Sequence, residues 1–190
     1  NEVVSVSSPD SLFILHKYKR SIHYIPNGID LGMSNTYSSC EKCQENYIFF
    51  AANRIYEVKG LHLLLSALKK GGMNIPLKIA GDLDHVMRYK NRILSIAKEL
   101  NVTFLGLITD RTELMKLVLN AKYFVFPSLT EAMSMMLLEV VSMETPVIAS
   151  DIPSNKAIFS DDEVIFFKND DIDDLLKKIE YAEANPEIIK

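Results

Sequence analysis

Short, unbroken apolar runs recur along this chain, and helical patterns fill the intervals between them. From residue 47 onward the runs fall at 47–52, 77–80, 102–105, 123–126, 146–149 and 164–167. Strands this short and this continuously apolar belong in a parallel sheet whose two faces are both covered. The helical stretches read as 60–70, 84–100, 111–120, 133–143 and 171–184. In the first, Leu61, Leu64, Leu65 and Leu68 form one stripe; in the second, Met87, Ile93, Ile96, Ala97 and Leu100 face inward. Thr109 or Asp110 is placed to cap the third. Strand and helix in alternation predict an α/β fold: a Rossmann-like parallel sheet of about six strands, with helices on both faces. Such sheets bind ligands beyond the carboxyl ends of their strands. That directs attention to Asn53 and Arg54, Gly81 and Asp82, Gly106, residues 127–131, and Ser150 with Asp151.

The first forty-odd residues differ. They read as a strand at 2–7, a helix at 9–19 and a strand at 21–25 that ends in Pro26-Asn27-Gly28, followed by a polar, Ser-rich stretch. The division expected is therefore 1–30 as the end of a preceding domain with its connector, 31–46 as a polar linker, and 47–190 as the main domain.

Composition narrows the function classes. At 190 residues the chain is long enough for one sizeable core. The net charge of −4 comes from interspersed charges, with no basic face for nucleic acid. No apolar run approaches the roughly 20 residues of a membrane span. The start lacks the basic and apolar regions of a signal peptide, so a cytoplasmic location is expected. Cys40 and Cys43, the two cysteines, have no second pair at zinc spacing and precede a strand, so they read as a reduced surface loop.

No Gly-x-Gly-x-x-Gly, P-loop or Gly-x-Ser-x-Gly element follows any strand. The strand ends offer charges instead. Arg54 and Lys59 flank the exit from the first strand of the main domain. With helix N-terminal amides nearby, they suit a diphosphate as well as they suit solvated loops. Glu131 stands just before a helix and Glu139 lies within it. If both were helical, eight steps would set them roughly 80° and 12 Å apart. That is too far for one two-carboxylate reaction centre, but it fits two hydroxyl-rich parts of one long ligand. Glu139 sits among Met135, Met136, Leu137, Leu138, Val140 and Val141, and an acid in so apolar a helix needs a reason. Asp82-Leu83-Asp84 has the form of a metal motif but sits at a strand-to-helix turn, where helix capping is expected. The methionines read as adaptable core. His16, His23, His62 and His85 show no partner pattern.

Taken in order, the residues have a family look. They run Ile25-Pro26-Asn27-Gly28-Ile29-Asp30; Arg54 with Lys59-Gly60; Ala80-Gly81-Asp82; Phe104-Leu105-Gly106; Phe126-Pro127-Ser128-Leu129-Thr130-Glu131 with Glu139; and Thr145-Pro146-Val147-Ile148-Ala149-Ser150-Asp151. This series resembles the C-terminal, donor-binding half of family-4 retaining glycosyltransferases of the GT-B fold, over nearly the whole chain from Ile25. The resemblance implies transfer of a sugar, with retention, from a UDP-, GDP- or ADP-sugar to a polysaccharide or glycolipid acceptor. It also implies that no metal or other cofactor is required. Arg54 and Lys59 would hold the diphosphate and neutralise the leaving group. Glu131 would face the sugar ring, and backbone amides of Met133, Ser134 and Met135 would lie near the phosphates or sugar. Glu139 would take the ribose, and Gly106 with its neighbours would lie near the base. The reaction cleft would be shared with a missing N-terminal domain, which would also carry any peripheral contact with the inner face of the membrane.

The sequence departs from the family pattern at Ala132-Met133-Ser134, where glycines commonly flank an aromatic residue, and at Glu144, where glycine is usual. Ala and Ser still let a ligand approach the backbone. Two other readings fit the same residues. One is another GT-B enzyme, an epimerase or a phosphorylase with a pyridoxal group on Lys59. The other is a nucleotide-sugar-binding subunit without turnover.

Overall fold

The computed structural model describes residues 3–29 and 45–186. Residues 30–44, which hold most of the linker expected at 31–46 together with Cys40 and Cys43, lie outside the described residues. Near the amino end, β1 (Val4–Ser5) and β2 (His23–Tyr24) pair in parallel around α1 (Ser8–Tyr18). The Ser7 side chain caps α1 by accepting from Asp10 N–H. Both strands are shorter than the sequence pattern suggested, whereas α1 keeps the expected length one residue earlier and buries none of its residues.

The main body holds the expected sheet. Its strands are β3 (Ile48–Arg54), β4 (Leu77–Asp82), β5 (Val102–Gly106), β6 (Tyr123–Phe126), β7 (Val147–Ser150) and β8 (Ile165–Phe167). All pair in parallel, in the order β5-β4-β3-β6-β7-β8. The helices are α2 (Leu61–Lys70), α3 (Met87–Ala97), α4 (Arg111–Asn120), α5 (Met135–Ser142), the short α6 (Pro153–Lys156) and α7 (Ile172–Ala184).

Side chains alternate across the pleat, so each apolar strand feeds two cores. Ile48, Phe50, Tyr123 and Val125 pack on one face with the Leu61–Leu68 stripe of α2, Ile93 of α3, and Leu175 and Ile179 of α7. Tyr47, Phe49, Phe124 and Phe126 pack on the other with Val118 and Leu119 of α4 and Leu137 and Val140 of α5. Both faces being dry is why these strands show no hydrophobic alternation. Edge strand β5 is the exception, with Phe104 and Leu105 exposed.

Local chemistry moves several helix boundaries from their expected places. Asp110 caps α4 as expected, accepting from the N–H groups of Thr112 and Glu113. The Asp82-Leu83-Asp84 run caps nothing: Asp82 Oδ1 accepts the N–H of Asp84 in a tight turn at 2.8 Å. Helix α3 then begins only at Met87, behind an extended Val86 without a side-chain cap. Helix α5 begins at Met135 rather than Met133, because Ser134 Oγ accepts from Leu137 N–H and makes Ser134 the cap. Met133 therefore lies in the loop before the helix.

The sheet order reverses between β3, which leads outward through β4 and β5, and β6, which leads through β7 and β8. The carboxyl ends of β3 and β6 mark this switch in strand order, the usual ligand position in open α/β sheets.

Candidate functional site

Two loops meet at the carboxyl ends of β3 and β6. Arg54 ends β3 and is exposed, with no ion pair among the described residues. After Ile55 and Tyr56 the chain makes a 3-10 turn, Glu57–Lys59, and enters α2 through Gly60 at φ +69°. The turn is tied to the second loop. Leu129 N–H donates to Val58 C=O at 2.8 Å, and a Cβ placed on Gly60 would stand 1.8 Å from Pro127 O. Backbone meets backbone here, so residue 60 has room for hydrogen only.

The second loop, residues 127–134, is held from the far side too. Ser150 Oγ donates to Ser128 C=O at 2.6 Å, and Asn169 Nδ2 donates to Leu129 C=O at 3.1 Å. Asn169 is itself placed by donating its N–H to Asp151 Oδ1 at 2.7 Å. Bonds from β7 and from the chain after β8 thus fix the stem of the loop that carries Glu131. The Pro26-Asn27-Gly28 segment also reaches the loop, through the N–H of Asn27 on Met133 Sδ at 3.0 Å.

This clamp brings Lys59 and Glu131 together. Lys59 Nζ lies 2.6 Å from Glu131 Oε1, with the side chains 23% and 15% exposed. Beyond Glu131, helix α5 starts with the N–H groups of Met135 and Met136, which have no acceptor among the described residues. At the start of α2, by contrast, Tyr89 Oη accepts the N–H of His62 at 3.2 Å. That donor, counted from sequence among those available to an anion, is already taken. Tyr89 Oη also meets His62 Nδ1 at 3.1 Å. Burial first, and Arg92 second, lower the His62 pKa, while burial raises the Tyr89 phenol to about 12. The neutral pair supports the first turn of α2 from beneath.

Glu139 lies farther along α5. Its side chain is 14% exposed and pairs with Arg111, the first residue of α4. Together they border a cleft of about 220 Å³, walled by Ala51, Gly81, Leu107, Ile108 and Met136, with Asn53 at one side. Gly106 ends β5 immediately before this wall, at φ +72°; Leu107 and Ile108, rather than Gly106, form the surface.

The structure thus brings Lys59 and Glu131 into contact and sets Glu139 in a separate cleft. It moves Met133 and Ser134 off the helix and adds Met136 and Arg111 to the cleft. Sequence reasoning missed Arg111, the residue directly after the cap Asp110, which only the fold brings to Glu139. Among the described residues no group of three His, Cys, Asp or Glu could hold a metal, and no helix is long and apolar enough to cross a membrane.

This arrangement has relatives. The chain is similar in fold to a glycosyltransferase from Rickettsia africae, with a TM-score of 0.81 and 20% identity, covering 100% of this chain and 55% of that one. It is also similar to HepE from Anabaena, solved with UDP-glucose, with a TM-score of 0.83 and 16% identity, covering 99% of this chain and 55% of that one. A C-terminal domain of a glycosyl transferase group 1 protein from Francisella tularensis is similar over 85% of this chain and 91% of its own, with a TM-score of 0.63 and 17% identity. The chain thus spans about half of the first two proteins, and its fold matches one Rossmann-like half of the GT-B architecture. No curated protein sequence matches it. In sequence, residues 39–189 match the glycosyl transferases group 1 family, and the chain belongs to that family.

Proposed function

We propose that this chain is the donor-binding half of a retaining glycosyltransferase, gripping a nucleoside diphosphate-sugar at the carboxyl ends of β3 and β6. One observation carries the reading: two carboxylates flank the start of α5, each held by its own cation, Glu131 by Lys59 and Glu139 by Arg111. A carboxylate accepts a pair of hydrogen bonds from vicinal hydroxyls, so each suits a polyol. The free N–H groups at the start of α5 and the cations Arg54 and Lys59 lie at the Glu131 end and suit the phosphates between the two polyols.

In this reading the ribose sits on Glu139, with the base against Leu107 and Ile108. The diphosphate lies along Arg54, Lys59 and the Met135 and Met136 amides, and the transferred sugar faces Glu131. As the glycosidic bond breaks, charge builds on the diphosphate. Lys59 then acts as an electrostatic catalyst, passing from Glu131 to the leaving group. No metal is needed, because the charge is met by side chains. The acceptor, a polysaccharide or glycolipid, approaches across the cleft from a second domain, at the cytoplasmic side of a membrane. HepE, whose structure holds UDP-glucose, gives the donor class its support.

Calorimetric titration with UDP, GDP and ADP and their sugar conjugates tests the reading. Saturable binding to one series, weakened about tenfold or more by Lys59→Ala or Glu139→Ala, is expected. Binding indifferent to both substitutions would place the ligand elsewhere.

A further inference from the structure

The cleft beside Glu139 is walled mostly by carbon, and three side chains supply its polar character: Asn53, Arg111 and Glu139. Their hydrogen-bonding capacities differ. A carboxylate only accepts, a carboxamide both accepts and donates, and a guanidinium only donates, through five N–H groups in a planar fork. Asn53 therefore accommodates any base edge, whereas Arg111 discriminates.

Arg111 is well placed to do so. It is the first residue of α4, fixed by the Asp110 cap whose carboxylate holds the next two N–H groups. Glu139 is its ion-pair partner and can engage at most two of its five donors. The side chain remains 45% exposed at the cleft rim, beside Leu107 and Ile108. When a ribose takes one oxygen of Glu139, the other still holds the guanidinium. The remaining N–H groups are then available to the edge of a planar ring resting on Leu107 and Ile108 in the same cleft.

We infer that Arg111 selects the base, favouring one that presents carbonyl oxygens, uracil or guanine, over adenine. The exocyclic amine of adenine is itself a donor. Placed against Arg111, it leaves donors on both sides unpaired, and such mismatches discriminate more strongly than lost apolar contact. This inference rests on the reading of Glu139 as the ribose site.

Titration of the 190-residue chain and of Arg111→Ala and Arg111→Lys with UDP, GDP and ADP tests it. The parent should bind UDP or GDP at least about tenfold more tightly than ADP. Arg111→Ala should bring that ratio to within about twofold; Arg111→Lys, still only a donor but without the planar fork, should leave an intermediate ratio. Releasing Glu139 alters its ribose contact for every nucleotide alike, so the ratio isolates the base. Unchanged melting temperatures establish that the variants are folded. A parent that binds ADP as well as the others, or an Arg111→Ala variant that keeps the full ratio, would overturn the assignment of Arg111 while leaving the donor site standing. Failure of all three nucleotides to bind would overturn both.

Discussion

Replacing Gly60 by Ala is the sharpest test of how the two site loops are held. The new Cβ would stand 1.8 Å from Pro127 O and 2.7 Å from Pro127 C, at φ +69°. Real Cβ contacts stay beyond about 3.0 Å, so the loop must retreat by at least the 1.2 Å difference. The left-handed conformation costs a side chain about 1–2 kcal/mol. Moving Pro127 by that distance strains the Leu129 N–H bond to Val58, 2.8 Å long, whose loss costs about 1 kcal/mol more. A total of about 2–3 kcal/mol follows, which in a domain of this size lowers the melting temperature by about 4–12 °C. Gly72 supplies the control, with φ +61° and nothing within 4 Å of its Cβ position. Gly72→Ala should cost only the conformational part. Paired thermal and urea unfolding of the two variants separates the contributions. Equal losses would show that Pro127 does not press on residue 60, and the clamp argument would fail. Donor affinity should fall with Gly60→Ala and stay unchanged with Gly72→Ala.

Three further outcomes are expected. Asp110→Ala removes the side-chain acceptor from the start of α4 and should cost about 1 kcal/mol in urea unfolding, with a further loss of nucleotide affinity because Arg111 is the next residue. Glu131→Gln keeps the shape but releases Lys59, so affinity for the free nucleoside diphosphate should hold or rise while the advantage of the sugar conjugate disappears in calorimetry. Stability should fall in acid because of His62. Its pKa is lowered in the folded state by burial and by Arg92, so the unfolded chain binds more protons as pH drops below about 6.5. The stability difference between this chain and His62→Gln should therefore narrow between pH 7 and pH 5. A difference independent of pH would show that His62 titrates alike folded and unfolded.

The sheet was readable from sequence because burial on both faces leaves strands with one unbroken apolar signal. β6 runs over the very residues expected, Tyr123–Phe126. Candidate residues stood out in the sequence where charge lay next to a strand end, as at Arg54, Lys59 and Glu131, or inside an apolar helix, as at Glu139. What escaped depended on local competition for backbone donors. Asp82 takes the Asp84 N–H and delays α3, and Ser134 fixes the start of α5, although the Met-rich pattern runs on from residue 133. The turn Glu57–Lys59 is too short to show a period. Arg111 carried no signal of its own because a basic residue after a cap looks like any solvated helix start; only the fold brings it to Glu139.

Whether one donor molecule bridges the two carboxylates is decided by a crystal structure of this chain with its tightest nucleoside diphosphate-sugar. Ribose hydroxyls are expected on Glu139, the diphosphate against Arg54 and Lys59, and the sugar ring facing Glu131. A nucleotide bound away from the carboxyl ends of β3 and β6, or a ribose that leaves the Glu139 and Arg111 pair untouched, would contradict it.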